Sequence, residues 1–153
     1  MSERRPDHWL WRLSPAEWLA AAESEIEQGQ RRLDSRRAAV THARRAAGMA
    51  LNGVLVAMAD RGWSDARCES AWGRSYIDHL RALSRAEDDA AREPFDARMG
   101  ETCKALLGVQ VMPGGGGGGL VSLSRGRDEA QREALQLASS ICRACREQLQ
   151  SEP

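Results

Sequence analysis

The chain has 153 residues, enough for a single domain to bury a core without disulfide or metal staples. Its 42% hydrophobic and 29% charged residues exclude a disordered chain, and 22 Lys plus Arg against 22 Asp plus Glu leave no bulk basic excess of the kind a dedicated nucleic-acid binder carries. No run approaches the ~18 apolar residues of a membrane span, Met1 to Asp7 lacks the apolar stretch of a signal peptide, and the four cysteines are too scattered for a disulfide scaffold, so a cytoplasmic protein with reduced thiols and no membrane partner is expected.

Residues 1–13 read as a polar arm ending in His8-Trp9-Leu10-Trp11-Arg12-Leu13. Exposed tryptophans are costly, so the arm is expected to pack on the protein's own bundle; a dimer or partner contact is the alternative. Residues 14–150 read as one helical domain. Ser14-Pro15-Ala16-Glu17 combines a capping residue, a proline suited to the first helical position and a glutamate that completes a capping box. The first helix is predicted to run to about Leu33, with Leu19, Ala22, Ile26, Gly29 and Leu33 on one stripe. Trp18 flanks that stripe, and Glu23, Glu25, Glu27, Arg31 and Arg32 lie off it.

A second helix is predicted from about Ser35 to Ala59, with an inner face of Val40, Ala43, Ala47, Ala50, Leu51, Val54, Leu55 and Met58. Ala43, Ala46, Ala47 and Gly48 are small enough to let a neighbouring helix come close. Gly62 is placed to end the helix in a left-handed cap. Between Arg31 and Arg45 stand six arginines and one acid, Asp34, which makes a local basic patch in a neutral chain.

Residues 63–92 read as one or two short helices with Trp72, Tyr76, Ile77, Leu80 and Leu83 as their apolar set, and Glu87-Asp88-Asp89 as a solvated end. Another helix is predicted from near Pro94 to Gly108, presenting Phe95, Met99, Thr102, Cys103 and Leu106. Pro113 and the glycines 114–119 form a flexible loop (residues 113–119), because a run without side chains builds no core. It lacks the Gly-Lys-Ser/Thr ending of a phosphate-cradling loop. Leu120–Leu123 is a doubtful short strand. The last helix is predicted from Asp128 to Gln150, with Ala130, Ala134, Leu137, Ala138, Ile141, Cys145 and Leu149 on one face. The expected fold is all-α, an antiparallel bundle of about five helices.

The Trp18-Leu19 opening with Glu23 and Glu25, the second-helix run from His42 through Arg44, Arg45, Ala47, Gly48 and Asn52 to Leu55, and a last helix with Asp128, Ala130, Ala138 and Ile141 together resemble the HEPN (higher eukaryotes and prokaryotes nucleotide-binding) domain family. The family often carries Glu and Lys where Gly48, Met49 and Asn52 stand here. The resemblance spans roughly residues 14–150. It implies a bundle of four or five helices, often a homodimer. It also implies one of three roles: a ribonuclease of a toxin or defence system, a non-catalytic partner of a nucleotidyltransferase or other protein, or a nucleotide-binding module.

Ribonuclease members of that family carry an arginine, a polar residue, a short spacer and a histidine, and Arg74-Ser75-Tyr76-Ile77-Asp78-His79 fits that pattern. Cleavage of RNA through its 2′-hydroxyl needs a general base or acid near neutral pH and a cation on the phosphate, which His79 and Arg74 would supply. Residues five apart on a helix diverge by about 140°, so the pair converges better if Arg74 precedes the helix. Two copies would complete one site across a two-fold axis. Arg74, Ser75 and His79 are therefore the catalytic candidates; a structural histidine is the alternative for His79. His42, Arg44 and Arg45 are candidate contacts to a phosphate or nucleotide, with a solvated helix face as the alternative. Cys142-x-x-Cys145 lacks further paired ligands and sits deep in a helix, so core packing is expected and no metal or cofactor is implied.

Taken together, these observations favour a non-catalytic interaction module of HEPN type, a homodimer, with a nucleotide- or RNA-contacting face around Arg44, Arg45, Arg74 and His79. The alternatives are a metal-independent ribonuclease using Arg74 and His79, or a structural bundle that binds a protein partner.

Overall fold

The computed structural model describes residues 9–85, 92–111 and 128–151. Among them are a 3-10 turn, Trp9–Arg12, and six helices: α1 (Pro15–Gln30), α2 (Arg36–Asp60), α3 (Asp65–Trp72), α4 (Tyr76–Arg85), α5 (Ala97–Gly108) and α6 (Glu129–Gln150). No strand occurs among the described residues. The fold is the all-α bundle expected, with α3 and α4 in the described part of the 63–92 region. The arm as far as His8, the acidic run 87–89, the glycine loop 113–119 and the strand at 120–123 lie outside the described residues.

The helix starts follow local chemistry. Ser14 accepts from the Glu17 N–H at 3.2 Å while its own N–H donates to Glu17 Oε1 at 3.0 Å, closing the predicted capping box. Ser35 and Ser64 accept in the same way from the N–H groups of Ala38 and Arg67, each such cap contributing about 1 kcal/mol. The first helix stops at Gln30 rather than Leu33. There the Arg32 N–H turns back to the Gly29 carbonyl and the Ser35 N–H to the Arg32 carbonyl, closing a tight hairpin into α2. Gly62, at φ +118°, ends α2 as expected.

Helix α2 is the axis of the bundle. The α1 and α6 helices lie along it, α4 and α3 cover its second half, and α5 packs between α4 and α6. Every residue from Ala46 to Ala59 is consequently buried, including Asn52. This corrects the single inner face that periodicity suggests: an alanine-rich helix surrounded by neighbours has no solvent side to mark. Close approach depends on Gly48, where any Cβ would overlap the Tyr76 side chain on α4. Trp18, placed beside the α1 stripe by sequence, is buried and donates from Nε1 to the Leu10 carbonyl at 3.0 Å. That bond ties down the N-terminal turn, and Trp9 stacks 6.2 Å from the His79 ring. The tryptophans of the described part of the arm thus pack on the protein's own bundle.

Cys142 and Cys145 sit in the core beside Cys103, and all four cysteines are free and buried. Burial pushes the Cys103 and Cys142 thiols up to about 12 and Cys145 well above its ordinary value, so they pack as small hydrophobes. Among the described residues no helix is long and apolar enough to cross a membrane.

Candidate functional site

A helix advances 100° per residue, so Arg37, Thr41 and Arg45 form one ridge along the first half of α2. All three are exposed. Further along the same ridge, Gly48 lies under Tyr76 and Asn52 meets His79, so α4 covers the ridge from there on. His42 is three residues from Arg45 and therefore its neighbour on the helix surface.

Opposite this step stands Glu25 of α1. Sequence periodicity places it off the buried stripe, yet it is 7% exposed. Its Oε2 lies 2.6 Å from His42 Nδ1, and its Oε1 lies 3.2 Å from an Arg45 guanidinium nitrogen. A burial that would be costly for a lone carboxylate is offset by two charge-assisted partners. An ionised carboxylate only accepts, so Nδ1 of His42 is the donor to Glu25, and in the neutral ring the lone pair then falls on Nε2. The ring is 20% exposed, and Nε2 meets solvent with no partner among the described residues. Tyr76 shares this environment. Burial pushes its phenol above the ordinary value, Arg45 and Arg12 pull it down, and Glu25 adds to the rise. The arrangement is a buried carboxylate that bridges an imidazole and a half-exposed guanidinium, and it orients the imidazole to accept a proton or to attack an electrophile at Nε2.

Arg44 is used elsewhere. Its guanidinium donates to the Leu106, Leu107 and Val109 carbonyls at 3.3, 3.0 and 2.9 Å, at the end of α5. A cation there satisfies orphan carbonyls and complements the negative end of the helix dipole. Burial pulls its pKa down without removing its charge. Of the three predicted ligand contacts, the structure joins His42 and Arg45 and sends Arg44 across the bundle to α5.

The predicted catalytic group does not assemble within the chain. His79 is 0% exposed, with Nδ1 3.0 Å from the Trp72 carbonyl oxygen and Nε2 2.7 Å from Asn52 Oδ1. Burial pushes its pKa down, opposed by the Trp72 carbonyl and the nearby Asp78 charge. A neutral ring that donates from Nδ1 to a carbonyl needs a donor at Nε2. The Asn52 amide supplies one when turned so that Nδ2, otherwise without a partner, faces the ring. Arg74 is 70% exposed and pairs with Glu69 at 3.6 Å, and Ser75 accepts from the Asp78 N–H to start α4. Gly73, at φ +83°, provides the break before α4 that the convergence of Arg74 and His79 would require. The helix that follows nevertheless turns His79 inward, against α2, and leaves Arg74 in solvent. The accessible cleft holding both, which the ribonuclease reading requires, is not formed, and neither ring nitrogen of His79 is free for a substrate.

A groove of about 510 Å³ lies between α5 and α6, lined by Phe95, Met99 and Ile141 with Arg98, Arg143 and Glu147 among its polar residues. None of the predicted site residues borders it. Among the described residues no cluster of three or more His, Cys, Asp or Glu side chains is arranged to hold a metal. No family model, curated protein or solved structure matches the chain.

Glu25 and Tyr76 were missed by sequence reasoning. The available signal was weak: a glutamate between Ala22 and Ile26 of the buried stripe, on a helix that a short turn folds back against His42 and Arg45.

Proposed function

We propose that the chain is an interaction module of HEPN type, acting as a homodimer, whose α1–α2 hairpin contacts the phosphates of RNA or of a nucleotide. The observation that carries this reading is the unneutralised charge at the hairpin tip. Arg31, Arg36 and Arg37 have no acidic partner among the described residues, and the only ion pair there is Arg32 with Asp34 at 3.4 Å. Arg36 and Arg37 occupy the first turn of α2, which contains no acid. Cations at that end oppose the helix dipole, at about 0.3–1 kcal/mol each, so folding gains nothing from them. An anionic ligand would gain from both the side chains and the dipole. Arg45 and Thr41 extend the same exposed ridge.

The test is fluorescence anisotropy of a labelled single-stranded RNA titrated with protein at several salt concentrations. Wild type should bind at low salt with an affinity that falls as salt rises. The Arg36→Gln/Arg37→Gln double variant should bind more weakly and lower the slope of log K against log[salt] by about 1.4, two phosphate contacts at ~0.7 each. It should fold at least as stably as wild type, because it removes cations from a helix N-terminus. Absence of RNA binding at low salt, or an unchanged slope in the variant, overturns the reading.

A further inference from the structure

We propose that His42 is a phosphoacceptor: its Nε2 takes a phosphoryl group from an acyl-phosphate or phosphoramidate donor. Three features of the site carry this, independently of RNA binding. The tautomer of the neutral ring is set, because Nδ1 donates to the Glu25 carboxylate with 2.6 Å between nitrogen and oxygen, which leaves the lone pair on Nε2. The side chain is 20% exposed, its Nε2 has no partner among the described residues, and it lies beside the exposed ridge of Arg37, Thr41 and Arg45. The charge that develops has partners in the site. As Nε2 bonds to phosphorus the ring becomes cationic and is stabilised by buried Glu25, and the half-exposed Arg45 guanidinium, held on the same carboxylate at 3.2 Å, adds positive charge for the incoming phosphoryl oxygens. The other histidine and the cysteines among the described residues lack this combination. His79 has both nitrogens engaged in the core, and the cysteines are buried with raised thiol pKa values.

With phosphoramidate as donor the step balances without a further reactant. The His42 Nε2 lone pair forms the N–P bond, the P–N bond to the donor's ammonium nitrogen breaks, and that nitrogen leaves as ammonia with the bonding pair. Glu25 retains the hydrogen bond to the Nδ1 proton throughout. An acyl phosphate reacts in the same way, with a carboxylate as the leaving group.

The experiment incubates the full chain with phosphoramidate near neutral pH and follows intact mass. The expected result is addition of one phosphoryl group, labile in acid and stable in base, faster than on free N-acetylhistidine. His42→Gln should abolish it, and Glu25→Gln should slow it by at least about tenfold, the scale for losing a carboxylate that orients a histidine. Because a variant at a packed hairpin can fail to fold, the wild-type adduct is also mapped directly. Cleavage after Arg37 and Arg44 releases residues 38–44, in which His42 is the only histidine. Fragmentation of that peptide must place the phosphoryl group on His42 and not on Thr41. A label elsewhere, a label retained by folded His42→Gln, no label at all, or a wild-type rate no greater than that of N-acetylhistidine overturns the proposal.

Discussion

His79→Leu tests the buried polar link between α2 and α4. The substitution roughly keeps volume and removes both hydrogen bonds of a ring that is 0% exposed. It strands the Trp72 carbonyl and the Asn52 amide in the interior, each at about 1–3 kcal/mol. A loss of about 2–4 kcal/mol is expected. For a domain of this size that lowers Tm by roughly 5–15 °C, at about 2–4 °C per kcal/mol. Urea denaturation followed by circular dichroism measures it. A double cycle with Asn52→Leu should return a coupling of about 0.5–3 kcal/mol, since removing both partners of a buried bond costs less than removing one. The pH dependence adds an independent check. Burial holds the folded-state pKa of His79 below its unfolded value of 6.5. Above 6.5 the ring is neutral in both states and contributes no slope. As pH falls below 6.5 the unfolded chain takes up a proton that the native state refuses, so wild type loses stability by up to about 1.4 kcal/mol per pH unit until the folded pKa is reached. The leucine variant lacks that share, so the gap between the two should narrow on acidification. A destabilisation under about 0.5 kcal/mol, or a gap that stays constant between about pH 7.5 and 5, refutes the account.

Two further outcomes follow from the packing. Gly48→Ala would ordinarily stabilise a helix by about 1 kcal/mol, but here the new methyl meets Tyr76, so destabilisation by about 1–3 kcal/mol in thermal melts is expected; a raised Tm would show that α4 is free to move. With thiols pushed up to about 12 at Cys103 and Cys142 and all four cysteines buried, native protein should react with a disulfide reagent at mildly alkaline pH only at the rate of global unfolding, and rapid labelling of any one of them would show a local opening.

The extent to which the chain can be read without its structure depends on the range of each interaction. Ser14 with Glu17, Ser35 with Ala38 and the positive φ of Gly62 act within one turn, so the start of α1 and the limits of α2 were legible. The core face of α6 was legible in part: Ala134, Ala138, Ile141 and Cys145 are buried as its periodicity suggests, but Ala130, Leu137 and Leu149 are only partly covered and Gln131 and Leu135 are buried beside them. Candidate site residues were legible only as residue types. His42 and Arg45 could be named, but their partner Glu25 is seventeen residues from His42 in sequence, and nothing in α1 alone marks it as buried.

The literal match of Arg74 through His79 shows the same limit from the other side. Spacing along a chain specifies an angle about one helix axis, and that angle has no meaning until the helix is docked. Local capping chemistry and the 3.6-residue repeat determined the helices, their turns and the all-α class. Tertiary packing decided which charged groups became interior. It drew Glu25 inward to hold His42 and Arg45, spent Arg44 on α5 carbonyls 62–65 residues away, and closed His79 against Asn52. The reason is that desolvating a polar group is favourable only when a partner from another element is already in place, and those partners come together only when the bundle does.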